Sequence, residues 1–200
     1  MLLDNPKVLR WCYEAITPVS LMNTGNERKL EKYKQIEKRW GNNVMHTRDG
    51  KQWTTKLCQD VVAEALVRLG RKNVRKIGQI KSSVRDKYYD PDLECDKYIY
   101  EVKGRSWTTP GTAGEKILGV PLKYGELPRL SRKPLQIVLV GYQEYEARQC
   151  FGFGDLFDSN KQTPELKQAL KYHRARGISY VGFTDILEEI GLPNGVWRRM

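Results

Sequence analysis

Residues 91–103 read Pro91-Asp92-Leu93-Glu94-Cys95-Asp96-Lys97-Tyr98-Ile99-Tyr100-Glu101-Val102-Lys103. Aromatic and β-branched residues from Tyr98 onward favour a strand; Asp92 to Cys95 reads as a second, with Asp96-Lys97 as the polar turn between them. Paired as a hairpin, these segments bring Asp92 beside the strand that carries Glu101 and Lys103. Those two residues are i and i+2, so strand alternation aims both at one face. Two carboxylates and an ammonium then converge where a sheet face is ordinarily apolar. Hard cations such as Mg²⁺ are held by one or two carboxylates together with water and phosphate oxygens. A bound metal lowers the pKa of its water and offsets charge on a phosphorane-like transition state, while a nearby lysine orients or deprotonates the nucleophile. The set suits metal-assisted hydrolysis of a phosphodiester.

Upstream, the apolar positions 58, 61, 62, 65, 66 and 69 form one stripe of a helix that Thr54 or Thr55 can cap and Gly70 can close. Residues 6–16 and 27–40 predict two earlier helices, the second ending at Gly41, with a polar loop to Gly50. Asn73 to Ile80 predicts a short strand. Downstream, Gly104 to Gly114 is a loop rich in Gly, Thr and Pro, and a helix begins over 115–118. Leu135 to Val140 is a continuous apolar run, the signature of a strand buried on both faces. Thr163-Pro164-Glu165 opens a helix reaching Arg174. Ile178 to Phe183 is a last strand, and Thr184 caps a short helix from Asp185 to Ile190. This order predicts an α/β fold, a central mixed sheet flanked by helices. Residues 1–50 are expected to form an N-terminal helical extension and residues 51–200 the core, as one compact domain overall.

The 200-residue chain has 35 Lys+Arg against 24 Asp+Glu, a net charge of +11. Its 40% hydrophobic content, with five Trp and eleven Tyr, excludes a disordered chain. No apolar run approaches the ~20 residues of a membrane span, and the start lacks a signal peptide's apolar stretch, so a soluble intracellular protein is expected. The four cysteines lie far apart with no CxxC pair, which predicts reduced thiols rather than a disulfide framework or a zinc knuckle. The charge is uneven: residues 1–90 carry 19 basic and 10 acidic side chains, and residues 68–87 carry eight basic and one acidic. A basic segment beside an acidic site is what a polyanionic substrate requires. Arg71, Lys72, Arg75, Lys76, Lys81 and Arg85 are therefore candidates for contact with a nucleic-acid backbone. The loop after Lys103 adds Arg105, Thr109, Thr112 and Lys116, and beyond it Lys123. In that loop Gly114 is followed by Glu115, which excludes a Walker phosphate loop. His46 and His173 are isolated, and no Ser/His/Asp or Cys/His set can be assembled from the spacing.

Pro91-Asp92 followed by Glu101-Val102-Lys103 resembles the PD-(D/E)xK nuclease superfamily, which includes type II restriction endonucleases and Holliday-junction resolvases. The resemblance covers roughly residues 54–142 as an arrangement of capped helix, basic connector, PD strand, ExK strand, loop and apolar strand. It implies a restriction-endonuclease-like core in which Asp92 and Glu101 ligate the metal and the carbonyl of Val102 completes its shell. Lys103 would act on the attacking water. An acidic residue from the preceding helix often joins such sites; Glu64 is the candidate here, Gln59 is a rival, and Asp96 is a substitute for Asp92. The implied cofactor is Mg²⁺, with Mn²⁺ as a substitute. The implied substrate is double-stranded DNA cut at a specific sequence by a homodimer, one active site per strand, with a cognate DNA methyltransferase as a further partner. A junction resolvase or repair nickase of the same fold is the second expectation. From another class comes a non-catalytic basic DNA-binding protein.

Overall fold

The computed structural model describes residues 1–14, 27–47, 52–108, 112–152 and 162–192. Three helices come first: α1 (Pro6–Tyr13), α2 (Glu27–Met45) and α3 (Trp53–Arg68). Four short strands follow, β1 (Arg75–Lys76), β2 (Ile80–Lys81), β3 (Tyr88–Tyr89) and β4 (Leu93–Glu94), and then the long β5 (Ile99–Arg105). A 3-10 helix over Thr112–Gly119 leads to α4 (Val120–Lys123) and α5 (Leu127–Ser131). The chain continues through β6 (Leu135–Gly141), α6 (Tyr142–Gln149), α7 (Pro164–Ala175), β7 (Ile178–Gly182) and α8 (Phe183–Glu189). No helix among the described residues is long and apolar enough to cross a membrane.

The main sheet has the order β1-β4-β5-β6-β7, and β2 with β3 forms a separate two-stranded sheet. β4 runs antiparallel to both β1 and β5, whereas β5, β6 and β7 are parallel, so the sheet is mixed. The expected hairpin exists, with Leu93 opposite Tyr100 and Glu94 opposite Ile99. β6 lies at the sheet's interior with nearly every residue buried, as its unbroken apolar run requires.

Alternation along β5 and β6 divides the core in two. Tyr100, Val102, Val138 and Val140 face α1, α3 and α8, while Ile99, Ile137 and Leu139 face the side of α4, α5 and α7. The N-terminal helices belong to the first of these cores. Trp11 is fully buried and its ring meets those of Trp40 and Trp53 at 6.0 and 5.7 Å. Glu37 of α2, also buried, accepts hydrogen bonds from the Trp11 indole at 2.7 Å and from the backbone N–H groups of Trp107 and Thr108 at 2.9 and 3.0 Å. The segment leaving β5 is thereby pinned to α1 and α2.

Three helix ends differ from their sequence signals. Helix α2 does not stop at Gly41 but continues to Met45. The glycine serves close packing, because a Cβ at Gly41 would overlap the Trp53 ring. Helix α3 is not capped by Thr54 or Thr55; Trp53 is already its first residue, after Gln52. Likewise α8 starts at Phe183, and Thr184 instead donates its N–H (3.0 Å) and hydroxyl (2.5 Å) to buried Glu144 of α6. The Thr163 cap of α7 is present, its side chain accepting from the Leu166 N–H.

The contact between α3 and β5 has no slack. A Cβ on Gly104 would overlap the Cys58 sulfur. Gly104→Ala is expected to push α3 off the sheet at a cost of about 1–3 kcal/mol, the usual range for overpacking. Urea unfolding that matches the wild type would contradict this close approach.

Candidate active site

Glu101 and Lys103 occupy positions of β5 that the alternation would otherwise give to the second apolar core. The Glu101 side chain is 3% exposed and receives the Lys103 ammonium on Oε1. Its other oxygen, Oε2, is buried and has no hydrogen-bond partner among the described residues. Asp92 reaches the same place from the residue before β4. Its N–H bonds to the Tyr100 carbonyl at 3.1 Å, and its Oδ2 accepts the Val102 N–H at 2.7 Å. A residue's N–H and C=O leave a strand on the same side, so the Val102 carbonyl opens towards Asp92 as well. The other Asp92 oxygen, Oδ1, accepts from the Gln59 amide of α3 at 2.5 Å.

Both carboxylates are pushed above the ordinary carboxylate range. Burial is the main cause for each; for Glu101 the nearby Asp92 charge raises it further, with Lys103 opposing. For Asp92 the Val102 N–H and Lys103 oppose burial. Two carboxylates that repel one another, one of them buried with an unsatisfied oxygen, form a local deficit of positive charge that Lys103 and the exposed Lys123 offset only in part. Such a deficit fits a hard divalent cation. Among the described residues no group of three or more His, Cys, Asp or Glu side chains surrounds that point. Asp92, Glu101 and the Val102 carbonyl are the groups here that could hold such an ion, with its other positions open to water or phosphate.

A wall of the site comes from α4. The Tyr124 ring is buried, and its hydroxyl donates to the Asp90 carbonyl at 3.3 Å. Burial and the adjoining Glu101 carboxylate push that phenol upward. Lys123 places its amine 2.9 Å from the Tyr124 oxygen and 4.4 Å from the centre of its ring, with the rest of the side chain exposed. A second cation thus stands beside the carboxylates.

The remaining expected site residues scatter. Glu64 turns away, accepting the backbone N–H groups of Leu2 (2.7 Å) and Leu3 (3.3 Å) and pairing with Arg68 at 2.5 Å. Five residues along a helix rotate a side chain by about 140°, so Gln59 and Glu64 cannot both face β5; Gln59 does. Asp96 is exposed in the β4–β5 turn, its N–H on the Lys72 carbonyl, and takes no part. Arg105 is also corrected: its side chain is 6% exposed, pairs with Glu146 of α6 at 2.6 Å and lies over the Tyr142 ring, so it offers nothing to a backbone phosphate. Arg71, Lys72 and Arg75 cluster at the turn end of β4–β5, Arg71 over the Tyr98 ring and Arg75 paired with Glu94 at 2.7 Å. Lys76, Lys81, Arg85 and Lys116 are exposed. Thr109 lies outside the described residues, and Thr112 opens the 3-10 helix.

Sequence reasoning missed the role of Glu126, which ties the β2–β3 hairpin to α5. Its carboxylate accepts from the Ser82 and Ser83 hydroxyls, the Tyr89 hydroxyl and Arg129. The Ser82, Ser83 and Tyr89 donors, Ser82 foremost, push its pKa down to about 2. A depressed folded value means stability that is present above the unfolded value near 4.5 and is lost as pH falls towards 2. Thermal melts of wild type and Glu126→Gln are therefore expected to differ at neutral pH and to converge between pH 4.5 and 2; a gap independent of pH would contradict this bonding.

Compared with protein-family models, with curated proteins and with solved structures, the chain matches none. It is an α/β protein with a mixed sheet, carrying one buried and one half-buried carboxylate and two lysines around the middle of strand β5.

Proposed function

We propose that this protein is a Mg²⁺-dependent endonuclease of the restriction-endonuclease-like class that hydrolyses phosphodiester bonds of double-stranded DNA. The observation that carries the reading is the unpartnered, buried oxygen of Glu101 beside Asp92, in a protein of net charge +11. A binding module gains nothing by placing desolvated carboxylates where phosphate must approach.

Asp92, Glu101 and the Val102 carbonyl would hold the ion. When bound, Mg²⁺ supplies Lewis-acid stabilisation of phosphoryl charge and a more acidic water. Gln59 fixes the rotamer of Asp92 by its bond to Oδ1, and the Val102 N–H fixes Oδ2. Lys103 orients the attacking water against the phosphorus and offsets charge on the non-bridging oxygens. The water oxygen forms the new P–O bond and gives its proton to bulk solvent as the opposite P–O bond breaks, and the leaving sugar oxygen takes a proton from another water. Lys123 meets the phosphate from the α4 side. Cutting both strands calls for two copies of the chain, one site per strand.

The test is supercoiled plasmid with Mg²⁺, using wild type, Glu101→Ala and Lys103→Ala. Wild type nicks and linearises the plasmid and both variants leave it intact. Equal cleavage by all three proteins would refute the assignment.

A further inference from the structure

After β1 the chain leaves the main sheet and folds on itself: Ile80 pairs with Tyr89 and Lys81 with Tyr88, joined by residues 82–87. A lone two-stranded hairpin is marginal in water, so it needs an anchor. This one has its anchor at the base. Ser82, Ser83 and Tyr89 all donate to Glu126, and the Tyr89 ring, 2% exposed, lies 5.8 Å from that of Tyr124. The tip is bare. Val84 is 77% exposed and Tyr88 of β3 56%; Lys81 and Arg85 are exposed too, with Lys81 4.0 Å from exposed Asp86, the one acid of residues 80–89.

A tip of this kind is an odd choice for a merely solvated turn, where Val is disfavoured and Gly, Asn or Asp usual. It does match a nucleic-acid groove. Cations meet phosphates, a two-stranded β-ribbon fits the major groove, and apolar groups contact thymine methyls or wedge at base steps. The position matters equally. From Tyr89 the chain passes through Asp90 and Pro91 to Asp92, so the base of the hairpin adjoins the carboxylates.

Resting on the endonuclease reading, we propose that the β2–β3 hairpin is the arm that enters a groove of the duplex, with Lys81 and Arg85 on phosphates and Val84 against the base edges. Because its base is fixed to α5 through Glu126, the arm also sets the offset between the bases it touches and the bond that is cut. Asp92 lies eight positions after Val84, a span of at most about 28 Å. At about 3.4 Å per base pair the cut falls within about eight base pairs of the touched bases.

The experiment measures binding of the full chain to a short fluorescent duplex without metal, by anisotropy over a salt series, for wild type, Val84→Asp, Lys81→Ala and Arg85→Ala. Val84 is exposed, so unchanged melting temperatures will accompany these substitutions. Val84→Asp is expected to weaken binding by about tenfold or more. Lys81→Ala and Arg85→Ala each reduce the slope of log affinity against log salt by about 0.9. Affinities and slopes equal to those of wild type would overturn the arm, as would absence of duplex binding by the wild type. A preference of the wild type for anionic phospholipid vesicles, lost in Val84→Asp while DNA binding stays constant, would overturn it in favour of a membrane contact. Because this readout needs no cleavage, a protein that binds through the hairpin yet never cuts plasmid refutes the nuclease reading alone. One that cuts normally with the hairpin variants refutes the arm alone.

Discussion

Lys103→Ala is expected to lower Mg²⁺-dependent cleavage by at least about a hundredfold while leaving divalent-ion binding intact. The magnitude follows from what one pre-placed donor contributes to a charged transition state, about 10²–10³ in rate. The split follows from geometry. Lys103 touches Glu101 Oε1 and is not itself a ligand, so its loss removes the group that orients water and phosphate while both carboxylates remain. It also removes the cation bonded to Glu101, leaving only the more distant charge of Lys123 among those named at the site, so ion affinity stays equal or rises. Glu101→Ala behaves differently, losing cleavage and ion binding together. Single-turnover cleavage and Mn²⁺ titration of the two variants side by side check this. If Lys103→Ala lost ion affinity and kept its rate, the assigned roles would be reversed.

Glu37→Ala is expected to destabilise the fold by at least ~3 kcal/mol, a large share of the about 5–15 kcal/mol that a domain has. The Glu37 carboxylate is 2% exposed and serves the Trp11 indole, the Trp107 and Thr108 N–H groups and the Thr108 hydroxyl. Its removal strands three buried N–H donors, each costing about 1–3 kcal/mol. The same change frees the segment that follows β5, so cleavage per folded molecule should fall as well. Urea unfolding gives the first quantity and plasmid nicking under native conditions the second. A variant as stable as wild type would mean that water replaces the carboxylate at no cost.

How far the sequence discloses this molecule depends on the range of each interaction. Asp92, Glu101 and Lys103 were legible because a two-residue alternation and one tight turn, both local, bring them together. The apolar run of β6 was legible because burial on both faces leaves an unbroken signature. Arg105 was not. It shares the Glu101–Lys103 face, but α6, a helix of sequence YQEYEARQ with hardly an apolar stripe, covers that end of the face with Glu146 and Tyr142. The choice between Glu64 and Gln59 stays open in the sequence because it depends on the rotation of α3 against the sheet, where Gly104 meets Cys58 and Gln59 meets Asp92. Gly41 looked like a helix stop, yet the ring it makes room for lies twelve residues further on. The division of the basic run has the same origin: Arg71, Lys72 and Arg75 go with the β4–β5 turn, and Lys81 and Arg85 with the hairpin, because the chain changes sheets between them.

The central claim is that Asp92 and Glu101 form a divalent-ion site for phosphodiester hydrolysis. Titrating the protein with Mn²⁺, with and without a short duplex, and following the free ion by electron paramagnetic resonance tests it most directly. One ion is expected to bind per chain, tighter with duplex present, displaced by Mg²⁺ and absent from Glu101→Ala. Mn²⁺ binding of equal strength in wild type and Glu101→Ala, or none in the wild type with duplex present, would contradict it.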